Sequence, residues 1–425
     1  MFNPFQSNKN PSSSPTFCIL PWLHLATRTY GAVTPCCVGE PLAENLNQTT
    51  FSEAWNAPSI RTLRKKMLKG QTSPLCQKCY EEEAAGVASH RVRANDYWKD
   101  FYSFDEMIGN TNSRGFFKGK YIYLDLRLGN KCNLECNMCS PQETVRWESL
   151  AGKIFEFAKT DLLKDYITKQ ISLMKNSPSK NWHERDEVIQ DIHNHLPHLR
   201  RVTIAGGEPL LIKEHHKFLE ECINRGEAHH ISLHYHTNGT ALDSQLFEKW
   251  KHFESVLVFI SLDDLKDRNR YIRWPTSWKL MERNLDFIDR ESPANVHPMI
   301  LCTIQLKNIF YFPEFLEWFS EKKFKKIHAC YDSVVHTELV IQPYFLSCQV
   351  LPPPVKRLVT DKFEKMYQKY GKKSERFKTL VNFMNLKDKS DMLYVFKDYV
   401  QALDRIRKTD FSKVFPELSE LLEEA

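Results

Sequence analysis

Three cysteines stand in the run Cys132-Asn-Leu-Glu-Cys136-Asn-Met-Cys139, a C-x3-C-x2-C spacing. Thiolates this close can take three corners of an iron–sulfur cubane and leave its fourth iron open to a substrate. Alone, the run would also fit part of a zinc site, although a structural zinc wants four ligands and a closed shell. A second group lies upstream: Cys18, twelve residues, Gly31, four residues, Cys36, and then the pair Cys76 and Cys79. Four thiolates complete the shell of a [4Fe–4S] cluster, and a four-cysteine zinc ribbon would look much the same. Cys37 is the spare; it replaces Cys36 as a ligand or is simply buried. Cys222, Cys302, Cys330 and Cys348 are isolated. Clustered cysteines without a secretion signal point to metal or redox chemistry in a reducing compartment, not to disulfides.

These residues need elements to hold them. From Lys120 onward the pattern alternates strand and helix. The predicted strands are 121–128, 199–205, 230–237, 255–262, 299–306 and 325–331. The predicted helices between them are 142–174, 184–195, 213–225, 243–252, 276–290 and 311–322. Six βα units in series imply an α/β fold with a parallel sheet, open or curled into a partial (βα)6 barrel. Residues 1–15, rich in Asn, Pro and Ser, read as a disordered lead-in. Residues 16–95 hold five of the clustered cysteines and one predicted helix, about 52–69, stopped by Gly70. Few periodic runs occur there, so a metal would have to supply much of the order. The barrel is expected over 120–335, and a charged helical region over 336–425.

Composition narrows the class. The 425 residues are 42% apolar, enough for one large core or a core with a satellite. A net charge of +6, from 59 Lys and Arg against 53 Asp and Glu, does not indicate a nucleic-acid partner. No window reaches the apolar length of a membrane span. A cytoplasmic protein is expected, and its oligomeric state is not legible.

The three-cysteine run resembles the signature of the radical S-adenosylmethionine (SAM) superfamily. Other segments match that family in order: Gly206-Gly207-Glu208-Pro209 after the second strand, Thr237-Asn238-Gly239 after the third, Ser261-Leu262-Asp263 at the end of the fourth, and Thr303–Asn308 after the fifth. Arg273, twelve residues beyond Ser261, stands where relatives place an arginine. Two departures are visible. Met138 replaces the usual aromatic before the last cysteine, and Asp264 replaces a glycine after Asp263. The resemblance implies that Cys132, Cys136 and Cys139 bind a [4Fe–4S] cluster whose open iron chelates SAM. It also implies that Gly206, Gly207, Glu208 and Pro209 meet the SAM amino group, that Ser261 and Asp263 belong to a ribose-binding segment, that Thr237 and Asn238 bind the cofactor, and that Arg273 pairs with the SAM carboxylate. Glu208 could itself accept from an ammonium. Reductive cleavage of SAM then yields a 5′-deoxyadenosyl radical, with the electron drawn from an external donor such as flavodoxin or ferredoxin.

The upstream group is similar to the twitch form of auxiliary cluster domain, the first half of the larger SPASM domain. That implies a second [4Fe–4S] cluster on Cys18, Cys36, Cys76 and Cys79. The helix carrying Trp55, Ile60, Arg61 and Met67 also looks like that domain. Here it precedes the barrel, whereas the familiar cases place it after.

Strand alternation sorts the remaining candidates. One face groups Tyr123, Asp125 and Arg127; then Ser232, His234 and His236; Phe259, Ser261 and Asp263; Leu301, Thr303 and Gln305; and His328, Cys330 and Asp332. A concave face this polar suits a reaction cavity more than a packed core. Cys330 is on it, and a non-ligand thiol there could return a hydrogen atom to a substrate radical, since an S–H bond is weak; the bland alternative is a small buried residue. Relatives with auxiliary clusters often modify peptides, by crosslinking, epimerising or oxidising. The expected function is therefore hydrogen abstraction from a peptide or protein residue. A small-molecule tailoring enzyme is the second reading, and a non-catalytic zinc-binding interaction module the third.

Overall fold

The alternation after Lys120 does become a sheet. The computed structural model describes residues 14–84, 88–176, 181–327, 335–370 and 375–424. Among them are ten strands: β1 (His24–Thr27), β2 (Val33–Thr34), β3 (Tyr123–Arg127), β4 (Glu135–Cys136), β5 (Arg201–Ala205), β6 (Ser232–Thr237), β7 (Ser255–Ser261), β8 (Arg273–Trp274), β9 (Val296–Ile304) and β10 (His336–Leu339). Eight of these form one sheet in the order β10-β9-β7-β6-β5-β3-β1-β2. All neighbours in it are parallel except β1 and β2. The sheet stays open: β10 and β2 are its two edges.

Helices return the chain between parallel strands, as parallel pairing demands. They span Arg146–Phe157, Asp161–Lys175, Asp186–His195, Lys213–Asn224, Ser244–Trp250, Trp278–Glu291 and Phe312–Lys322. Each lies on a predicted helical stretch. The first stretch is broken in two where Thr160 caps the second helix by accepting from the Leu163 amide. The outer residues of the strands, among them Leu124, Leu126, Val202, Ile204, Leu233, Val256, Val258 and Ile300, are buried under these helices.

Two expectations are corrected. Lys325–Ile327 is not a strand, and the rest of the predicted sixth strand falls outside the described residues. The strand that pairs with β9 is β10, beginning at His336, so the sheet reaches past residue 335. His336–Leu339 was assigned to the helical region because its polar ends hide a strand only four residues long.

The second correction concerns residues 16–95. Part of this segment is a strand of the main sheet, where only a helix was expected. β1 continues the large sheet, with His24 opposite Tyr123 and Ala26 opposite Asp125. Phe17, Ile19, Trp22 and Leu25 are fully buried in the same apolar core as the barrel helices. The expected helix forms as two, Phe51–Ala54 and Pro58–Leu68, and buries Trp55, Ile60 and Met67. Gly70 ends it with a positive φ of 67°, a backbone that glycine adopts without strain. Beyond the sheet, helices Pro353–Tyr370, Glu375–Leu386, Leu393–Arg407, Phe411–Val414 and Pro416–Glu423 complete the chain.

Candidate active site

The C-terminal ends of the parallel strands gather the first constellation, as in open α/β sheets generally. The three-cysteine loop follows β3. Its middle, β4, pairs antiparallel with β8, which sets Cys136 opposite Arg273. The Cys136 and Cys139 thiols share a hydrogen bond, and this, then Arg273 and Arg407 nearby, pulls Cys136 toward thiolate. Cys132 is pushed up to about 11 by burial. Trp147 Nε1 donates to the Cys136 carbonyl at 3.0 Å and fixes the loop from below.

The glycine pair packs directly against this loop. A Cβ on Gly207 would lie 2.3 Å from the Lys131 carbonyl oxygen, and one on Gly206 would lie 2.8 Å from that of Gly129. Only glycine permits that approach. The Glu208 amide donates to the Lys131 carbonyl at 2.7 Å. The Glu208 side chain turns into the frame of the site. It is fully buried and accepts from Thr237 Oγ1 at 2.7 Å, the Asn238 amide at 2.6 Å and the Leu210 amide at 3.2 Å. Burial raises its carboxyl to about 7 against the pull of those donors. It thus fastens the end of β5 to the end of β6. Pro209, buried as well, opens the turn that follows.

Asn238 reaches the cluster loop. Its Nδ2 donates to Asn133 Oδ1 at 2.8 Å and lies 3.9 Å from Cys132 Sγ. Thr240, not singled out in the sequence, holds the other end of both amides: its hydroxyl donates to Asn238 Oδ1 at 2.7 Å and accepts from Asn133 Nδ2 at 2.9 Å.

Asp263 and Arg273 are also brought together, but with each other. Arg273 Nη2 donates to Asp263 Oδ1 at 3.0 Å, and Nε lies 2.8 Å from Oδ2, with both side chains buried. The Thr303 amide donates to the same Oδ1 at 2.7 Å. Asn308 Nδ2 donates to the carbonyls of Asp263 and Thr303 at 2.9 and 3.0 Å. Asp263 therefore orients the arginine opposite Cys136. Ser261, at the end of β7, is half-buried on the inner face beside Leu301.

The second constellation forms on the other side of β3. Cys18, Cys36, Cys76 and Cys79 line one small enclosed cavity together with His90, Arg91, Lys78, Val38 and Gly39. Burial, and then the neighbouring thiols, hold Cys18 and Cys36 far above the usual thiol range and push Cys76 up to about 11. Buried sulfurs that disfavour one another's charge are what a bound cation would relieve. Cys37 is absent from this lining. Its Sγ is 3.6 Å from His90 Nε2, its carbonyl accepts from Arg28 Nη1 at 3.2 Å, and Asp125 and Arg127 of β3 act on its thiol.

Between the two groups runs the inner face of the sheet. Here burial alternates residue by residue: in β6 and β7 the outer side chains are buried, whereas Ser232, His234, Ser255, Phe259 and Ser261 are half-buried and His236 is exposed. The register lays Asp125, Thr203, His234 and Leu257 in one row, and toward the strand ends pairs Arg127 with Ala205 and sets His236, Phe259 and Met299 side by side. His236 stacks on Phe259, and Phe259 touches His336. β1 adds His24, stacked on Tyr123, and β10 adds Glu338; neither strand was expected to contribute. Gln305 is fully buried beyond the end of β9. His328, Cys330 and Asp332 lie outside the described residues. Cys222, Cys302 and Cys348 are fully buried away from this face.

Residues 126–309 match the model of the Radical SAM superfamily, and residues 18–80 match the SPASM iron–sulfur cluster-binding domain. The second match begins at Cys18 and ends just after Cys79; the first contains Cys132, Cys136 and Cys139. No curated protein matches the chain. Among solved structures it is similar to native anSMEcpe with bound AdoMet, at 20% identity over 58% of this chain and 61% of that one, TM-score 0.39. SuiB of Streptococcus suis bound to the precursor peptide SuiA is similar at 11% identity over 73% and 64%, TM-score 0.35. SuiB bound to S-adenosylmethionine is similar at 12% over 81% and 69%, TM-score 0.36. The chain thus spans about three fifths of the length of the first of these. The chain carries a radical SAM domain on the parallel sheet and an iron–sulfur cluster-binding domain ahead of it.

Proposed function

We propose that the chain is an enzyme that cleaves SAM reductively and abstracts hydrogen from a peptide or protein residue held on the inner face of the sheet. Cys132, Cys136 and Cys139 would hold the SAM-binding [4Fe–4S] cluster. Cys18, Cys36, Cys76 and Cys79 would hold the auxiliary one. The donor set fits: three thiols on one loop leave an open corner, and four around a closed cavity leave none. When bound, cluster and SAM supply one-electron cleavage of the sulfonium to a 5′-deoxyadenosyl radical. The chain's own part is to position. Gly206 and Gly207 let backbone approach the loop, Asp263 aims Arg273 at the carboxylate end of SAM, and Asn238 steadies Cys132. Arg273 keeps spare donors for that carboxylate beyond those Asp263 occupies.

One observation carries the reading: the inner face is half-open and polar, and it lies between the two thiol groups. A substrate there would meet the radical from one side and the auxiliary site from the other. The pairing with an auxiliary-cluster domain supports a peptide, and SuiB, a structure similar to this chain, was solved with its precursor peptide. An external one-electron donor completes the reaction.

The test uses anaerobically reconstituted protein with SAM and dithionite. Release of 5′-deoxyadenosine is expected, and its loss when Cys132, Cys136 and Cys139 are all replaced by Ala. Persistence in that variant, or stoichiometric zinc without iron, rejects the cluster reading. Supplying a deuterated cell extract split by size then assigns the substrate class. Deuterium entering 5′-deoxyadenosine from the peptide fraction supports the proposal; entry from the small-molecule fraction alone replaces it with the tailoring reading.

A further inference from the structure

Asn137 lies between two ligands of the three-cysteine loop, yet its contacts come from the far end of the chain. Tyr399 donates its hydroxyl proton to the Asn137 carbonyl at 2.7 Å. Arg407 Nη1 donates to Asn137 Oδ1 at 2.5 Å, and Nη2 donates to the Glu135 carbonyl at 2.5 Å. Glu135 and Asn137 flank Cys136. One guanidinium therefore bridges both sides of the middle cysteine, and both donors sit on the helix Leu393–Arg407. That helix is anchored by Asp398, which accepts from the Lys159 and Thr160 amides at 2.9 and 2.7 Å.

The charge needs an explanation. Tyr399 and Arg407 are buried, and a buried cation costs several kcal/mol unless an anion answers it. Among the described residues no carboxylate lies within 4 Å of Arg407; its partners are carbonyl and amide oxygens. Lys307 Nζ, also fully buried, lies 5.2 and 5.7 Å over the rings of Phe396 and Tyr399 without a hydrogen-bond partner. The Glu135 and Asp404 carboxylates act on these cations only at longer range, and the loop once charged would supply an anion beside them. A cubane held by three thiolates is net negative and becomes more so on taking up an electron.

We propose that Arg407 raises the reduction potential of the cluster bound by Cys132, Cys136 and Cys139, and that Arg407 and Tyr399 together hold the loop in its ligating shape. This rests on the radical SAM reading of that loop. It makes the C-terminal helix a working part of the radical-generating site, with both residues acting as positioning residues through Asn137 and Glu135. Arg273 stands opposite Cys136 on β8, so two cations held by elements distant in sequence lie near the loop. The same effect makes the electron easier to load from a weak donor before SAM is cleaved.

The test is a potentiometric titration of the reconstituted full chain, followed by the electron paramagnetic resonance signal that changes shape when SAM is added. That signal isolates the SAM-binding cluster from the auxiliary one. Arg407→Met should retain its iron and fall about tenfold in the ratio of reduced to oxidised cluster at a fixed potential, which for one electron is a 59 mV downward shift. Arg407→Lys keeps the charge and should stay near the wild-type potential. Tyr399→Phe should also keep it, but both conservative variants should lose loop iron to a chelator several-fold faster. An unshifted midpoint in iron-replete Arg407→Met overturns the proposal. If Arg407→Met fails to fold, wild-type chelation rates in Arg407→Lys and Tyr399→Phe overturn it. A wild type that shows no SAM-sensitive signal instead rejects the cluster reading underneath.

Discussion

Cys36 and Cys37 are neighbours of one chemical type, and the turn after β2 separates their fates. Cys36 lines the four-thiol cavity, while Cys37 meets His90 and the charges of β3. Cys36→Ser should therefore lose the auxiliary iron, about half the total for two cubanes. Cys37→Ser should keep it. Iron and sulfide analysis of the two proteins decides this, and equal loss from both would put the ligand assignment in error. At the same scale, Asp263 and Glu208 show that a motif residue can serve the frame around a site. Breaking the buried Asp263–Arg273 pair by Asp263→Ala should cost about 3–5 kcal/mol in unfolding free energy. It should also weaken SAM binding, read by equilibrium dialysis, because it frees the arginine opposite Cys136. Intact affinity would mean that Arg273 does not meet SAM.

At the scale of elements, β1 changes what the N-terminal cysteines are attached to. The strand lies parallel to β3 in the main sheet, and Leu25 is fully buried in the shared core. Leu25→Ala should lower stability by about 2–5 kcal/mol, measured by denaturant unfolding, although it touches no ligand. Replacing Cys76 and Cys79 by Ala should do less to the fold. Those residues lie in the short turn Pro74–Cys76 and the helix Gln77–Ala84, outside the sheet. That protein should keep the iron of the other loop and release 5′-deoxyadenosine, yet form no substrate product. Retention of full iron would contradict the four-thiol site.

At the scale of the molecule, one apolar core runs from Phe17 through the barrel helices to Leu422. The N-terminal segment, the sheet and the C-terminal helices are thus joined by burial as well as by chain. Calorimetry of the metal-free protein should give a single cooperative transition; two resolved transitions would show that the N-terminal segment folds apart. Among the described residues, no helix is long and apolar enough to cross a membrane.

The chemistry was legible in the sequence because it is local. Cys132, Cys136 and Cys139 span eight positions, and β6 and β7 announce themselves by alternation that burial then enforces. The glycines of Gly206-Gly207 could be read as an approach point because only their lack of a Cβ allows one. What was hidden depends on pairing across long separations. β1 is four residues with no period to mark it, and it exists only because the edge of β3 is open to it. β10 is equally short and was lost among charged helices. The Asp263–Arg273 pair, the hydrogen bonds that hold Glu208 and the grip of Tyr399 and Arg407 on Asn137 follow from no spacing rule, since each joins groups that only packing brings within hydrogen-bond reach. By itself the sequence determined which groups could bind metal and which strands would carry them; the tertiary structure alone decided which charges face those groups, because electrostatics acts over ångströms of space and not over positions in the chain.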